Sequence, residues 1–143
     1  MPDPANVLLE FRTEVAAPMA RVFAALSEGG GLARWFCDQA ESEPVRGGRL
    51  VLRWTRHGSS GLPFEGRWVE FQPPLRCAFE GGNADYPDGY AGRVEFELVD
   101  HEAGTELVTR HHLPGRLDYE PIAVRYRAAW PRALARLAGS IVA

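Results

Sequence analysis

The sequence predicts an α+β chain: a curved antiparallel sheet of about seven strands around one long C-terminal helix, with two short helices after the first strand. Three observations predict it. Apolar residues alternate at period two through consecutive segments in the middle of the chain. Clusters of Gly, Pro and Ser separate these segments, and links this short favour antiparallel neighbours. The final segment instead repeats its apolar residues every three or four positions, the period of a helix. One helix hides the face of so wide a sheet only if the sheet curls around it, and the curl leaves space between the two.

Taken in order, the first strand covers residues 7–15. Val7, Leu9, Phe11, Thr13 and Val15 fall on one face and Leu8, Glu10, Arg12 and Glu14 on the other. Ala16-Ala17-Pro18 ends it, and Pro18 suits the first turn of a helix over residues 19–26, striped by Met19, Val22, Phe23 and Leu26. Gly29-Gly30-Gly31 is expected to break that helix, leaving a short second one over residues 32–36. Period-two strands follow over residues 40–45, 49–56, 64–72, 75–81, 93–100 and 105–113. Gly47-Gly48, Gly58-Ser59-Ser60-Gly61, Pro73-Pro74 and Ala103-Gly104 mark turns between them. The one long link, residues 81–92, holds Tyr86, Pro87 and Tyr90 and has a length typical of functional or mobile loops. Pro121 suits the start of the last helix, where Ile122, Tyr126, Trp130, Leu134, Leu137 and Ile141 make one stripe. Arg125, Arg127, Arg132 and Arg136 lie off it, as a solvated face or a docking patch for an acidic partner. Pro131 is expected to kink the helix, because it removes a backbone donor and crowds Arg127.

With 143 residues, 45% of them hydrophobic and 24% charged, the chain reads as one domain over 1–143. A chain of this size buries roughly 70% of its unfolded surface, enough for a core without disulfides or metal staples. No apolar run approaches the roughly 18 residues of a membrane span. Met1-Pro2-Asp3-Pro4 has neither the basic start nor the apolar stretch of a signal peptide, which predicts a cytoplasmic protein. A net charge of −3, with no strongly basic face, weighs against nucleic acid as a partner. All 16 basic residues are arginine, which excludes Schiff-base chemistry, lysine-anchored pyridoxal phosphate and a P-loop lysine. Cys37 and Cys77 form no paired-cysteine metal motif and read as small buried hydrophobes, Cys37 less firmly because it lies near a helix end. No HExxH, GxSxG or GxGxxG motif is present, so neither a metal nor a cofactor is expected.

Two polar residues on strands qualify as site candidates. His111 shares a face with Thr105, Leu107 and Thr109. If Leu107 faces the helix, His111 does too, either as a histidine satisfied by a hydrogen bond or as a ligand anchor or general base with a pKa near neutrality. His112 points to the opposite face, so the pair does not share a metal. Glu70 follows Trp68 by two residues, and alternation turns both inward unless a bulge intervenes. An inward Glu70 would have a raised pKa and would hold a ligand hydroxyl or pair with His111 or an arginine, whereas the bland reading is a salt bridge at the strand end.

Several segments, in order, resemble the family named for the activator of the heat-shock-protein-90 ATPase, within the START-like (SRPBCC) superfamily. They are the strand-to-helix run from Val15 to Leu26, the Trp35-Phe36 helix end, the Gly47-Gly48 turn, Gly66-Arg67-Trp68-Val69-Glu70 leading into Pro73-Pro74, Gly104-Thr105-Glu106-Leu107 with His111, and Trp130-Pro131-Arg132-Ala133-Leu134. The resemblance implies the helix-grip fold and a cavity for a small hydrophobic or amphipathic molecule. Inward stripes and the second helix then nominate Trp35, Phe36, Leu52, Trp54, Trp68 and Phe79 as ligand-binding residues. Phe96, Thr109 and His111, with Glu70, Tyr126 and Trp130, complete the set. Two alternatives stand beside ligand binding. One is an enzyme of the polyketide cyclase or hydrolase type using His111 or Glu70. The other is an interaction module, a homodimer or a chaperone partner, engaged through the arginine face of the last helix or the Tyr86–Tyr90 loop. The chaperone activator carries a further N-terminal domain for which 143 residues leave no room, which weighs against a chaperone role.

Overall fold

Strand β1 (Val7–Val15) keeps the alternation of its sequence, with Leu9 and Val15 buried and Leu8, Glu10, Arg12 and Glu14 exposed. The structure, a computed structural model, describes residues 6–55 and 61–142. Helices α1 (Met19–Ser27) and α2 (Gly29–Trp35) follow, then strands β2 (Gln39–Ser42), β3 (Arg49–Arg53), β4 (Phe64–Gln72), β5 (Arg76–Gly82), β6 (Arg93–His101) and β7 (Gly104–Leu113), and helix α3 (Glu120–Val142). Single 3-10 turns lie at Pro87–Gly89 and Leu117–Tyr119. All seven strands join one antiparallel sheet in the order β1-β7-β6-β5-β4-β3-β2. The sheet is open and curved, and α3 lies in its concavity, as the helix-grip reading requires. The first strand pairs with the last, from Val7 opposite Leu113 to Val15 opposite Thr105. The Thr105 hydroxyl ties the turn after β1 by donating to the Ala17 carbonyl at 2.8 Å.

The inner faces of the sheet, the α3 stripe and α2 close around the core. Leu26, Leu32, Trp35, Leu50, Trp68, Phe96, Leu107, Trp130 and Leu137 belong to one buried cluster, and Leu9, Leu113, Tyr119, Ile122 and Ala123 form a second. Tyr86 and Tyr126 pack against both. The outer face carries charge instead. Arg93 stands near Glu70, Glu80 and Glu95, and Arg110 near Glu10 and Glu97. Half-exposed pairs of this kind contribute little stability each, but they keep the face wet.

Four expectations change. Gly29, Gly30 and Gly31 do not break a helix; they form the first turn of α2, and the break falls at Glu28, whose backbone is extended (φ −91°, ψ 144°). The reason is close approach: a Cβ on Gly31 would stand 2.7 Å from the Ala25 Cα, and one on Gly29 2.8 Å from the Ala40 carbonyl oxygen. β2 stops at Ser42 because residues 43–48 coil into a turn, with the Val45 and Gly48 amides donating to the Glu43 and Val45 carbonyls. Leu75 leaves β5 for the preceding turn, its amide donating to the Gln72 carbonyl. β3 ends at Arg53, short of the expected Arg56, with Trp54 and Thr55 already outside the ladder. Pro131 lies inside α3, with helix on both sides of it. The expected far end of β3 at Arg56, the Gly58-Ser59-Ser60 part of the turn after it and the Met1–Pro4 terminus lie outside the described residues. Among the described residues, no helix is long and apolar enough to cross a membrane.

Candidate functional site

Between the concave sheet and α3 lies a cavity of about 730 Å³. Its inner wall is aromatic. Phe36 stacks on Trp130 (ring centres 5.4 Å apart, 19° between planes) and meets Trp54 edge-on at 5.4 Å; Phe64 meets Phe79 edge-on at 5.6 Å. Leu52, Val94, Ala129 and Ala133 fill in the apolar lining, and the chain between β5 and β6 supplies Asn83, Asp85, Tyr86, Ala91 and Gly92. Leu62, Asp85, Arg125, Ala129 and Arg136 line it from exposed positions, which marks the rim.

His111 sits at the inner end of this cavity, 2% exposed. Its Nε2 lies 2.8 Å from the Ala91 carbonyl oxygen, and its Nδ1 accepts the Trp130 indole N–H at 3.0 Å. A carbonyl only accepts and an indole only donates, so the imidazole is the neutral tautomer protonated on Nε2. Burial pushes its pKa down to about 4; the Ala91 carbonyl opposes the shift and nearby His112 adds to it. Of the two readings of His111, the arrangement is that of a histidine satisfied by hydrogen bonds, both ring nitrogens being occupied by the fold. Gly92 presses the loop backbone against the ring. Its φ is +100°, and a Cβ there would stand 2.8 Å from Nε2.

The tyrosines are also partnered internally. Tyr86 and Tyr126 share a hydroxyl-to-hydroxyl hydrogen bond of 2.5 Å, and the Tyr126 ring lies 4.6 Å from the His111 ring. Burial, with the Tyr86 hydroxyl beside it, holds the Tyr126 phenol well above its ordinary pKa. Tyr119 donates across to the carbonyls of Pro87 and Tyr90, and Arg116 pairs with Asp88 at 2.6 Å, so the loop over residues 83–92 is pinned against α3 and the turn before it.

Glu70 lies elsewhere. Between Trp68 and Glu70 the pairing with β5 slips by one residue: Trp68 faces Phe79, Glu70 faces Ala78 and Val69 is the extra residue. This bulge keeps Trp68 and Phe71 both inward and turns Glu70 onto the outer face, where it accepts from Arg93 at 2.8 Å and stands 3.6 Å from Arg76. The placement of Glu70 in the cavity is overturned, and with it any pairing with His111.

Of the nominated ligand residues, Phe36, Leu52, Trp54, Phe79, His111, Tyr126 and Trp130 line the cavity. Trp35, Trp68, Phe96 and Thr109 do not. Trp35 fixes α2 to α1 by donating to the Ala25 carbonyl, and Trp68 donates to the Ser42 hydroxyl. Phe96 packs among Trp35, Phe79 and Trp130. Thr109 is fully buried, and its hydroxyl has no hydrogen-bond partner among the described residues. Phe64 and Val94 escaped nomination although alternation pairs them with Trp68 and Phe96. Ala129 and Ala133 carried no hydrophobic signal strong enough to mark a wall. Both cysteines are buried thiols: burial pushes Cys77 far up and Cys37 up to about 11, so neither is a thiolate near neutral pH.

A family model described as Activator of Hsp90 ATPase homolog 1-like protein matches residues 16–141. Solved structures share the fold across nearly the whole chain. A Mesorhizobium loti protein is 16% identical with a TM-score of 0.80, covering 95% of this chain and 96% of its own. The solution structure of the Aha1 dimer from Colwellia psychrerythraea is also 16% identical with a TM-score of 0.80, covering 94% and 96%. A Rhodobacter sphaeroides protein is 25% identical with a TM-score of 0.74, covering 99% and 95%. No curated protein matches the chain.

Proposed function

The chain belongs to the Activator of Hsp90 ATPase homolog 1-like family, of START-like (SRPBCC) fold, and from that premise we propose that it binds a small hydrophobic or amphipathic ligand between sheet and α3. The observation that carries the reading is an aromatic cavity of about 730 Å³ whose inner polar groups are already satisfied by the fold. This volume lies within the roughly 300–1,000 Å³ of small-molecule pockets. A side chain used for proton transfer needs a free nitrogen or oxygen facing the reactant. His111 offers none, and Glu70 is on the other side of the sheet, which favours binding over the cyclase-type reading.

Fluorescence titration with N-phenyl-1-naphthylamine tests it. The expected result is saturable binding that Trp54→Ala weakens by about tenfold, the scale of one large apolar contact. Trp68→Ala serves as contrast. That residue is buried outside the cavity, so its loss should cost about 3–5 kcal/mol of stability and leave no specific effect on the probe once the protein is folded. A folded parent that takes up neither this probe nor any of a lipid and aromatic panel would sink the proposal.

A further inference from the structure

Charge on the cavity wall is unevenly placed. Among the described lining residues, Arg125, Arg136 and Asp85 carry the charge. Arg125, Ala129, Ala133 and Arg136 fall on one stripe of α3, so two small side chains open the wall between two arginine positions about three turns, roughly 16 Å, apart along the helix axis. Asp85 precedes Tyr86, whose hydroxyl bonds to Tyr126, so the acid belongs to the loop tied to the Arg125 end. The Arg136 end has no lining carboxylate among the described residues.

Arg136 is also the better oriented of the two. Its Nε donates to the carbonyl of Trp35, the last residue of α2, at 3.0 Å. Carbonyls at a helix end lack intrahelical partners, so this bond caps α2 and fixes the plane of the guanidinium. The two terminal nitrogens make no ion pair among the described residues. A planar pair of N–H donors held in this way matches the paired oxygens of an oxyanion. Phe36, Trp54 and Trp130 stand on the same wall and offer rings for an apolar body.

We propose that Arg136 is the head-group anchor of the cavity and that the ligand is an amphipathic organic anion, an aromatic or aliphatic body ending in a carboxylate. The proposal rests on reading the cavity as a ligand site and adds the chemistry of that ligand. Because the anchor acts through charge at a solvent-facing rim, the preference for an anion fades with salt.

Two probes with one ring system make the test: neutral N-phenyl-1-naphthylamine and 8-anilino-1-naphthalenesulfonate. The parent is expected to bind the sulfonate about tenfold more tightly, a modest value for a charge-assisted hydrogen bond at a solvent-facing rim. Arg136→Gln should remove most of that difference while neutral-probe affinity stays within about twofold, and Arg136→Lys should keep part of it, since charge remains without the fork. Displacement of the sulfonate by 1-naphthoate more readily than by 1-naphthyl phosphate supports the carboxylate, and the reverse order overturns that assignment. Equal parent affinity for the two probes, or a loss on Arg136→Gln that is the same for both, overturns the anchor and leaves Arg136 as a cap on α2. Binding of neither probe overturns the cavity reading, and the anchor with it.

Discussion

His111 illustrates how one buried side chain can be settled by its two neighbours. The Ala91 carbonyl and the Trp130 indole leave the ring no site for a second proton, because Nδ1 already accepts a donor. An unfolded imidazole titrates near 6.5 and this one near 4, so between those values the unfolded state holds the extra proton. The stability tied to His111 is therefore full above pH 6.5 and is lost as pH falls toward 4. Urea denaturation of the parent should show a loss of about 2 kcal/mol from this group between pH 7 and pH 5. His111→Gln, with one donor and one acceptor at its tip, should flatten that slope; an unchanged slope would mean the ring does not titrate this way. Glu70 teaches the opposite lesson. Its carboxylate pairs with arginines at a half-exposed site on the outer face, so Glu70→Gln should cost less than about 1 kcal/mol.

At the scale of elements, α2 turns a supposed helix breaker into a packing device. Three glycines disfavour helix on their own, yet two of them permit α2 to lie against α1 and the start of the sheet. Gly30, between them, is exposed and has nothing within 4 Å of an added Cβ. The pair of neighbours thus makes a sharp experiment. Gly30→Ala should raise stability by about 0.5–1 kcal/mol through backbone entropy. Gly31→Ala should lower it by about 1–3 kcal/mol, because its Cβ would meet Ala25 and Ala24 backbone. Thermal denaturation reads both, and equal shifts would refute the close-approach account. The bulge in β4 acts at the same scale: one unpaired residue, Val69, reverses the facing of the residues after it and so turns Glu70 to the outer face while bringing Phe71 against Phe23 and Trp68.

At the scale of the molecule, the cavity exists because a seven-stranded sheet curves farther than one helix fills. Small residues at Ala129 and Ala133 on α3 widen that gap, and the pinned loop over residues 83–92 walls one side of it. Filling the gap should separate binding from stability. Ala133→Phe places a ring into space already present, so the melting temperature should hold or rise while N-phenyl-1-naphthylamine binding falls at least tenfold. Retained probe affinity in a folded Ala133→Phe variant would place the probe outside the cavity.

The sequence by itself determined the sheet, the order of its strands along the chain and the apolar stripe of α3, because period two and period 3.6 are local patterns that burial on one face imposes. It also put Leu107, Thr109 and His111 on one face; the unbroken register of β7 keeps them together, and their burial makes that face the inner one. Only the tertiary structure decided where Glu70 points, because a bulge is a choice made between two strands and leaves no mark in either one alone. Only the tertiary structure separated wall from core among the aromatics, sending Trp54 to the cavity and Trp68 to the interior. A cavity is the volume that packed side chains fail to fill, and that difference depends on how sheet, loop and helix close on one another rather than on any one segment.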